Sequence, residues 1–367
     1  MTDKGCIQDL FFALIRCSVG TADKLPYAPS KEEWMEIYSI SKEQTVSGII
    51  LDAISKLPDE QKPHFELRMQ WIAVQKSIEK QNMVMNNVVV EIFEELRKRG
   101  VEAYLLKGQG VAQYYNHPLH RVCGDIDLYF KDDCDLKKAI SLFKTYGCEI
   151  EDNIEESHTE TTFKGIKIEL HKKCATFYTQ KLQVKFNKIA TTQIGYNDAS
   201  FTINNTCITT LPPVLNALQL LSHMLRHIIL SGLGMRQICD WVLFINKYQE
   251  RLDRSVFLKY LEELELLGIY KAITAIAIDY LGMPQDFALY EINDKDRKTA
   301  RKVLELVMMY GNFGHYGEHT HLTSNLNYIK AYIWKVKNCA KFHSMAKSET
   351  WSYPLWQLHS IKKIFIR

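Results

Sequence analysis

Apolar residues recur at helical spacing over roughly the first 100 residues. The stretch SKEEWMEIYSISKEQTVSGIILDAISKL opens with Ser30, a favoured N-cap residue, and has glutamates in its first turn. The same period continues through a second long stretch to Gly100, a residue type that commonly ends helices. We assign residues 1–85 to an N-terminal helical region.

After Gly100 the pattern changes to short apolar runs separated by turn residues. VEAYLLKG predicts a strand, QGVAQYYN a short helix, GDIDLYF a strand, and DLKKAISLFKTYG a helix capped by Asp135 and ended by Gly147. CEIEDN, TETTFKG and IKIELHKK predict three more short strands. This alternation predicts a mixed core over residues 86–210.

From Pro212 onward, five segments again show helical apolar spacing, so residues 211–367 are predicted to form a C-terminal helical domain. The expected fold class is α+β, with a small mixed sheet and its helices flanked by N- and C-terminal helical regions.

Composition limits the class of partner. The 367 residues are 46% hydrophobic and 24% charged, which is typical of a globular protein. Because 46 basic residues face 43 acidic ones, the charge favours neither nucleic acid nor an anionic membrane as a partner. The most apolar stretch, VLNALQLLSHMLRHIILSG, contains three basic residues and predicts a buried helix rather than a membrane span. Nine scattered cysteines without a CxxC pair predict reduced thiols and a cytoplasmic protein.

Candidate chemistry begins in RVCGDIDLYF, where Asp125 and Asp127 interrupt an apolar run. Side chains two apart on a strand share a face, so the two carboxylates are expected side by side. Glu169 in IKIELHKK alternates in the same way and could lie beside them on a neighbouring strand. Three such carboxylates could hold one or two Mg²⁺ ions. The alternative is a polar sheet face on which Glu169 meets solvent or Lys167.

Like charges held together repel. The pattern therefore also predicts that Asp127→Asn leaves the stability of the metal-free protein unchanged or slightly higher.

The preceding element, AYLLKGQGVAQYY, runs from a strand through Lys107 and Gly108 into a helix. Glycine permits close approach of the backbone to a ligand, and lysine adds a positive charge. Arg121 could add a bidentate fork for a phosphate oxygen. The alternative is an ordinary strand-to-helix turn with an exposed lysine.

The stretch LLKGQGVAQYYNHPLHRVCGDIDLYF resembles the nucleotide-binding core of the DNA polymerase β-like nucleotidyltransferases. It is most similar to their uncharacterised bacterial branch, with a KG turn, a short helix, an arginine and GDxDL. The resemblance implies that Lys107 and Gly108 hold the triphosphate, and that Asp125 and Asp127 bind Mg²⁺. It also implies that Glu169 activates the acceptor hydroxyl.

The sequence departs from that superfamily at two points. The superfamily turn usually reads Gly-Ser, whereas this chain has Lys107-Gly108 followed by Gln109, so the phosphate bond of the serine must come from elsewhere. The GGxVRD type of signature of tRNA-end-adding members is absent, which argues against that substrate.

The resemblance implies a Mg²⁺-dependent enzyme that moves a nucleoside monophosphate, expected to be AMP, from an NTP to a hydroxyl of a small-molecule or protein acceptor, with two Mg²⁺ ions. Its expected partners are the NTP and the acceptor. The alternative is a non-catalytic nucleotide-binding or partner-binding protein, such as a degenerate member or a toxin–antitoxin component.

Other polar residues allow further hypotheses. His223 and His227 are four residues apart and, with Asp240, could form the zinc site of a hydrolase, although no HExxH accompanies them. Histidines that are hydrogen-bonded within the core are the simpler interpretation.

Three residues are candidate contacts with substrate in the cleft: His171, Arg236 and Asp240. The last two could instead brace the domain interface. GNFGHYGEHTHL, with His315, His319 and His321, is predicted to be a solvated loop rather than a metal site or lid.

Overall fold

The computed structural model describes residues 4–153, 158–196, 198–312 and 325–365. Four helices lead into the sheet: α1 Lys4–Val19, α2 Lys31–Glu43, α3 Ser47–Lys56 and α4 Phe65–Lys98. The middle of the chain forms β1 Tyr104–Leu106, α5 Gly108–Ala112, β2 Ile126–Tyr129, α6 Asp133–Thr145, β3 Ile150–Asn153, β4 His158–Phe163, β5 Ile166–His171, α7 Gln180–Gln193, β6 Ala199–Ile203 and β7 Thr206–Thr210. The last part is helical, with α8 Pro213–Leu230, α9 Met235–Tyr248, α10 Arg254–Glu263, α11 Leu267–Leu281, α12 Asp294–Tyr310, α13 Asn325–Lys341 and α14 Lys347–Phe365.

The described strands form one mixed sheet in the order β3-β4-β5-β2-β1-β7-β6. At its centre β2 runs antiparallel to β1 and parallel to β5. The predicted α+β class, with a mixed sheet between N- and C-terminal helical regions, is confirmed.

The two faces of the sheet pack into different cores. Leu105, Ile126 and Leu128 lie in one core with α6 and the C-terminal half of α4. Tyr104 and Tyr129 point the other way, into a larger core built from the other helices. This division follows from the two-residue period of a strand, because neighbouring side chains point to opposite faces.

The larger core joins the two ends of the chain. Helix α1 packs against α3, and also against α9 and α11 from the C-terminal region. The sequence boundary at residue 85 falls inside α4, which continues without a break to Lys98. The regions 1–85 and 211–367 therefore share one hydrophobic core.

Local signals in the sequence had mixed outcomes. Ser30 caps α2 in a capping box with Glu33, as predicted. Asp135 is not the cap of α6, because Asp132 occupies that position. The Asp135 carboxylate instead accepts a hydrogen bond from the backbone N–H of Glu102. Helix α7 and the β6–β7 hairpin were not predicted. Across the described ranges, every helix is too short or too polar to cross a membrane.

Candidate active site

The pairing of β2 with β5 brings the three predicted carboxylates together. The two strands are parallel, and Asp127 lies directly opposite Glu169. Asp125 precedes β2 by one residue, on the same side as Asp127. One carboxylate oxygen from each of the three residues lies within 4.8 Å of the others. The geometric prediction is thus met: the three side chains converge on one face of the sheet.

Three cationic or imidazole groups contact this cluster. Lys107 Nζ lies 3.2 Å from Asp127 Oδ1, and His171 Nε2 lies 2.8 Å from the same oxygen. Lys167 Nζ lies 2.8 Å from Glu169 Oε1. The alternative that Glu169 meets Lys167 therefore also holds, since one carboxylate oxygen binds the lysine while Glu169 faces the cluster.

The two aspartates differ in their electrostatic surroundings. Burial disfavours the ionised form of Asp127, but the charge of Lys107 and the hydrogen bond from His171 outweigh burial and lower its pKa. The repulsion from Asp127, together with burial, raises the pKa of Asp125 to about 6. Lys107 and His171 thus neutralise Asp127 and leave Asp125 with excess negative charge, which a bound cation would relieve.

Lys107 holds its ammonium in place with a strained backbone. It precedes α5 with φ +46° and ψ −137°, a region that side-chain-bearing residues rarely adopt. Glycine would take this conformation without strain. A lysine at a position that suits glycine indicates that the side chain itself is needed, and its ammonium is the group that reaches Asp127.

The carboxylates open into a cleft of about 490 Å³ between the sheet and the C-terminal helices. Lys107, Gly108 and Arg121 line it, as do Arg236 and Asp240 of α9. The cleft also has cationic residues that sequence reasoning missed: Lys173, Arg226 and Lys335. A cleft with convergent carboxylates and several cationic side chains suits a metal ion with an anionic ligand.

Arg121 lines the cleft, but its guanidinium is paired with a carboxylate in the way that was predicted for a phosphate. Its guanidinium makes a bidentate ion pair with Asp240, at 2.8 and 2.7 Å, and Tyr115 donates to the same carboxylate. Arg236 Nη1 donates to the backbone oxygen of Val122. Both contacts tie the segment before Asp125 to α9. They correspond to the bracing alternative for Arg236 and Asp240.

His223 and His227 line the cleft as a pair, with their Nε2 atoms 3.1 Å apart. Burial lowers the pKa of both, that of His227 to about 3, so both imidazoles are neutral at pH 7. Asp240, the third member of the zinc hypothesis, is bonded to Arg121 and Tyr115. Among the described residues these three do not form a metal-ligand cluster. The segment with His315, His319 and His321 lies outside the described residues.

His158 and Glu160 also border the carboxylates and were not singled out in the sequence. Lys164 and Gly165 both have positive φ and join β4 to β5 as a two-residue hairpin turn. That turn sets a register in which His158 faces His171 and Glu160 faces Glu169. Counting back along both strands from Lys164-Gly165 would have predicted this pairing from the sequence.

Convergent carboxylates on a mixed sheet, beside a lysine at a strand-to-helix turn, are groups that can bind a divalent cation and a phosphate. The comparisons agree. The model of the family described as uncharacterised nucleotidyltransferase matches residues 30–282, so the chain belongs to that family. Family membership supports nucleotidyl transfer as the chemistry.

The other comparisons add little. No curated protein matches the chain. A crystal structure of an antigenic nucleotidyltransferase-like protein from Paracoccidioides brasiliensis is 17% identical, over 48% of this chain and 92% of that one. Its TM-score of 0.28 is too low to carry an argument.

Proposed function

We propose that this protein transfers AMP from ATP to a hydroxyl group of a small-molecule or protein acceptor and releases pyrophosphate. The observation that carries the proposal is the convergence of Asp125, Asp127 and Glu169 in a cleft that is also lined by lysine and arginine residues. The formal net charge is only +3, which favours such acceptors over a polynucleotide.

The acidic cluster fits Mg²⁺. All three donors are carboxylates, which are the hard oxygen ligands that Mg²⁺ prefers. The raised pKa of Asp125 shows negative charge that the neighbouring side chains leave uncompensated. We propose that Asp125, Asp127 and Glu169 hold one or two Mg²⁺ ions, which would neutralise the charge of the phosphates.

Other side chains would position the reactants. Lys107 would turn its ammonium from Asp127 toward a phosphate oxygen of the triphosphate. Hydrogen bonds from His171 and Lys167 outweigh burial and lower the pKa of Glu169, which keeps it ionised and able to accept the proton of the acceptor hydroxyl. The hydroxyl oxygen would then bond to the α-phosphorus as the bond to pyrophosphate breaks. Positioning and electrostatics would supply the rate enhancement.

The proposal is tested by incubation with ATP labelled at the α-phosphate, Mg²⁺ and fractionated metabolite or protein extract. Label should appear in an acceptor, with release of one pyrophosphate for each AMP transferred. The same assay with the other three NTPs establishes base preference. Absence of a labelled product in every fraction, from a protein that binds ATP, would contradict the proposal.

Lys107 provides a matched pair of variants for that assay. Lys107→Gly and Lys107→Ala both remove the ammonium, but only glycine relieves the strained backbone. Lys107→Gly should therefore be more stable than Lys107→Ala by about 1 kcal/mol. Both should lose transfer activity to a similar extent, by about a hundredfold or more, if the ammonium binds phosphate. Full activity in Lys107→Gly would show that the turn, and not the charge, matters.

One observation favours a second candidate, nucleotide binding without transfer. Lys107 and His171 both contact the same oxygen of Asp127, where a metal ligand would be needed. A protein of this kind would bind ATP with unchanged affinity when Mg²⁺ is removed by a chelator. The transferase should lose most of its ATP affinity.

We also propose a cytoplasmic location, where ATP and Mg²⁺ are available. All nine cysteines are free thiols, which suits a reducing compartment.

A further inference from the structure

The hairpin formed by β4 and β5 carries a second cluster of ligating side chains beside the acidic one. His158, Glu169 and His171 each place one ligand atom within 4.8 Å of the other two. This cluster shares only Glu169 with the acidic cluster. We propose that it is a binding site for a divalent transition-metal ion, with zinc bound most tightly.

The distances match a metal coordination shell. Glu169 Oε2 lies 3.6 Å from His158 Nε2 and 3.3 Å from His171 Nε2. A tetrahedral zinc ion with bonds of about 2.0–2.2 Å separates its ligand atoms by about 3.4 Å. Both measured separations are close to that value, so Glu169 Oε2 is placed to share an ion with either imidazole.

Lys167 fixes the carboxylates in the required orientation. Its ammonium contacts Glu169 Oε1 at 2.8 Å and Glu160 Oε2 at 2.9 Å. The other oxygen of each glutamate faces the imidazoles, with Glu160 Oε1 2.7 Å from His158 Nε2. Lys167 is therefore an outer-sphere partner of Glu169, the carboxylate ligand of the proposed site.

The burial of His158 gives an independent indication. Its side chain is only 1% exposed, yet the residue lines the cleft. Its Nε2 faces the two glutamates, whereas its Nδ1 has no hydrogen-bond partner among the described residues. A buried imidazole that has its polar contacts only at the cluster has its function there.

The donor set selects the metal. Two imidazoles with one or two carboxylates suit Zn²⁺ and its neighbours, whereas Mg²⁺ prefers a shell of oxygens. The two clusters would therefore bind different ions. Because His171 Nε2 also contacts Asp127, a metal in the histidine cluster would take that nitrogen away from the acidic cluster. The proposal does not depend on the proposed transfer reaction.

The test is a titration of the metal-free full-length protein with Co²⁺ in excess Mg²⁺, followed by visible absorption. Co²⁺ reports a tetrahedral site with nitrogen ligands by an intense d–d band. The wild type should bind one Co²⁺ per chain, which Zn²⁺ displaces. His158→Gln should weaken Co²⁺ binding by about a hundredfold or more, since loss of a ligand exceeds the loss of an outer-sphere partner. Binding by His158→Gln that equals the wild type would overturn the proposal.

Three further measurements make the result specific. Asp125→Asn should keep the Co²⁺ band but bind Mg²⁺ more weakly than the wild type, because Asp125 belongs only to the acidic cluster. A variant with His315, His319 and His321 replaced by alanine should bind Co²⁺ normally. Loss of the band in either variant would place the ion elsewhere. X-ray absorption at the cobalt edge of the wild type should count two imidazoles, and it needs no variant to fold. An all-oxygen shell would overturn the site.

Discussion

At the scale of single residues, the two aspartates of the DxD pair have opposite effects on stability. Asp127 is 3% exposed and bonded to Lys107 and His171. The ionised form of Asp125 is instead disfavoured by the charge of Asp127. The sequence suggested that Asp127→Asn would be neutral or stabilising. In the structure, Asp125→Asn is the variant that should be neutral or stabilising.

In the absence of metal, Asp125→Asn should stabilise the protein at pH 8 by about 1–3 kcal/mol, because the folded pKa of about 6 exceeds the usual Asp value of about 3.9. Ionisation of Asp125 therefore costs stability above pH 6, and the advantage of Asp125→Asn should shrink as the pH falls toward 4.5. Asp127→Asn should instead lose about 2–4 kcal/mol, because it weakens a buried charged network.

Urea denaturation at pH 8 and pH 5, with EDTA present, measures both free energies of unfolding. The reverse order of the two variants would show that Asp127 carries the unfavourable charge. Both variants should lose transfer activity, so the stability difference separates folding from function.

At the scale of elements, the segment before Asp125 is held by helices on both sides. His120 lies between Asp52 of α3 and Glu79 of α4, at 2.7 Å from each carboxylate. Gly48 of α3 lets this segment pass closely, because an added Cβ there would lie 2.1 Å from the backbone oxygen of His120. Together with the Arg121–Asp240 ion pair, these contacts position β2 at its first residue.

The His120 contacts predict a pH-dependent contribution to stability. Burial disfavours the charged imidazole, but the hydrogen bonds to Asp52 and Glu79 outweigh it and raise the pKa of His120 above its usual 6.5. The contribution is therefore complete below about pH 6.5 and is lost as the pH rises through the folded pKa. His120→Gln should cost about 1–2 kcal/mol at pH 6 and less at pH 9.

A double-mutant cycle of His120→Gln with Asp52→Asn checks this prediction by urea denaturation at both pH values. The coupling energy should be larger at pH 6 than at pH 9. A coupling energy that is the same at both would mean that the imidazole contributes as a neutral hydrogen-bonding group.

At the scale of the whole molecule, the sheet and the helices cannot be separated. Tyr104, Leu106 and Tyr129 of the central strands lie in the larger core with α1, α8 and α11. Each buried side chain of this kind contributes about 1.5–3 kcal/mol. Residues 86–210 alone would expose these residues and begin in the middle of α4.

We therefore expect a fragment of residues 86–210 to lack a cooperative thermal transition, although it contains every proposed catalytic residue. Thermal melts followed by circular dichroism, and limited proteolysis, would compare the fragment with the full-length chain. A sharp transition with protease resistance would show that the sheet domain folds independently of the larger core.

The sequence by itself determined much of the local structure and the identity of the acidic residues. Alternation of apolar and polar positions placed Asp127 and Glu169 on the polar face of their strands, because the side-chain period of a strand is fixed at two. Capping chemistry placed Ser30 at a helix start for a similarly local reason, since the hydrogen bonds join residues three apart. The Lys164-Gly165 dipeptide also specified the hairpin register that pairs His158 with His171.

Only the tertiary structure decided which groups face these residues. Arg121 precedes the DxD pair in sequence, but its guanidinium pairs with Asp240, 119 residues later, because α9 packs against that segment. Lys107 meets Asp127 through the β1–β2 pairing. The pKa difference between Asp125 and Asp127 follows from such contacts. Charge interactions and burial depend on distances in space, which no local pattern in the chain specifies.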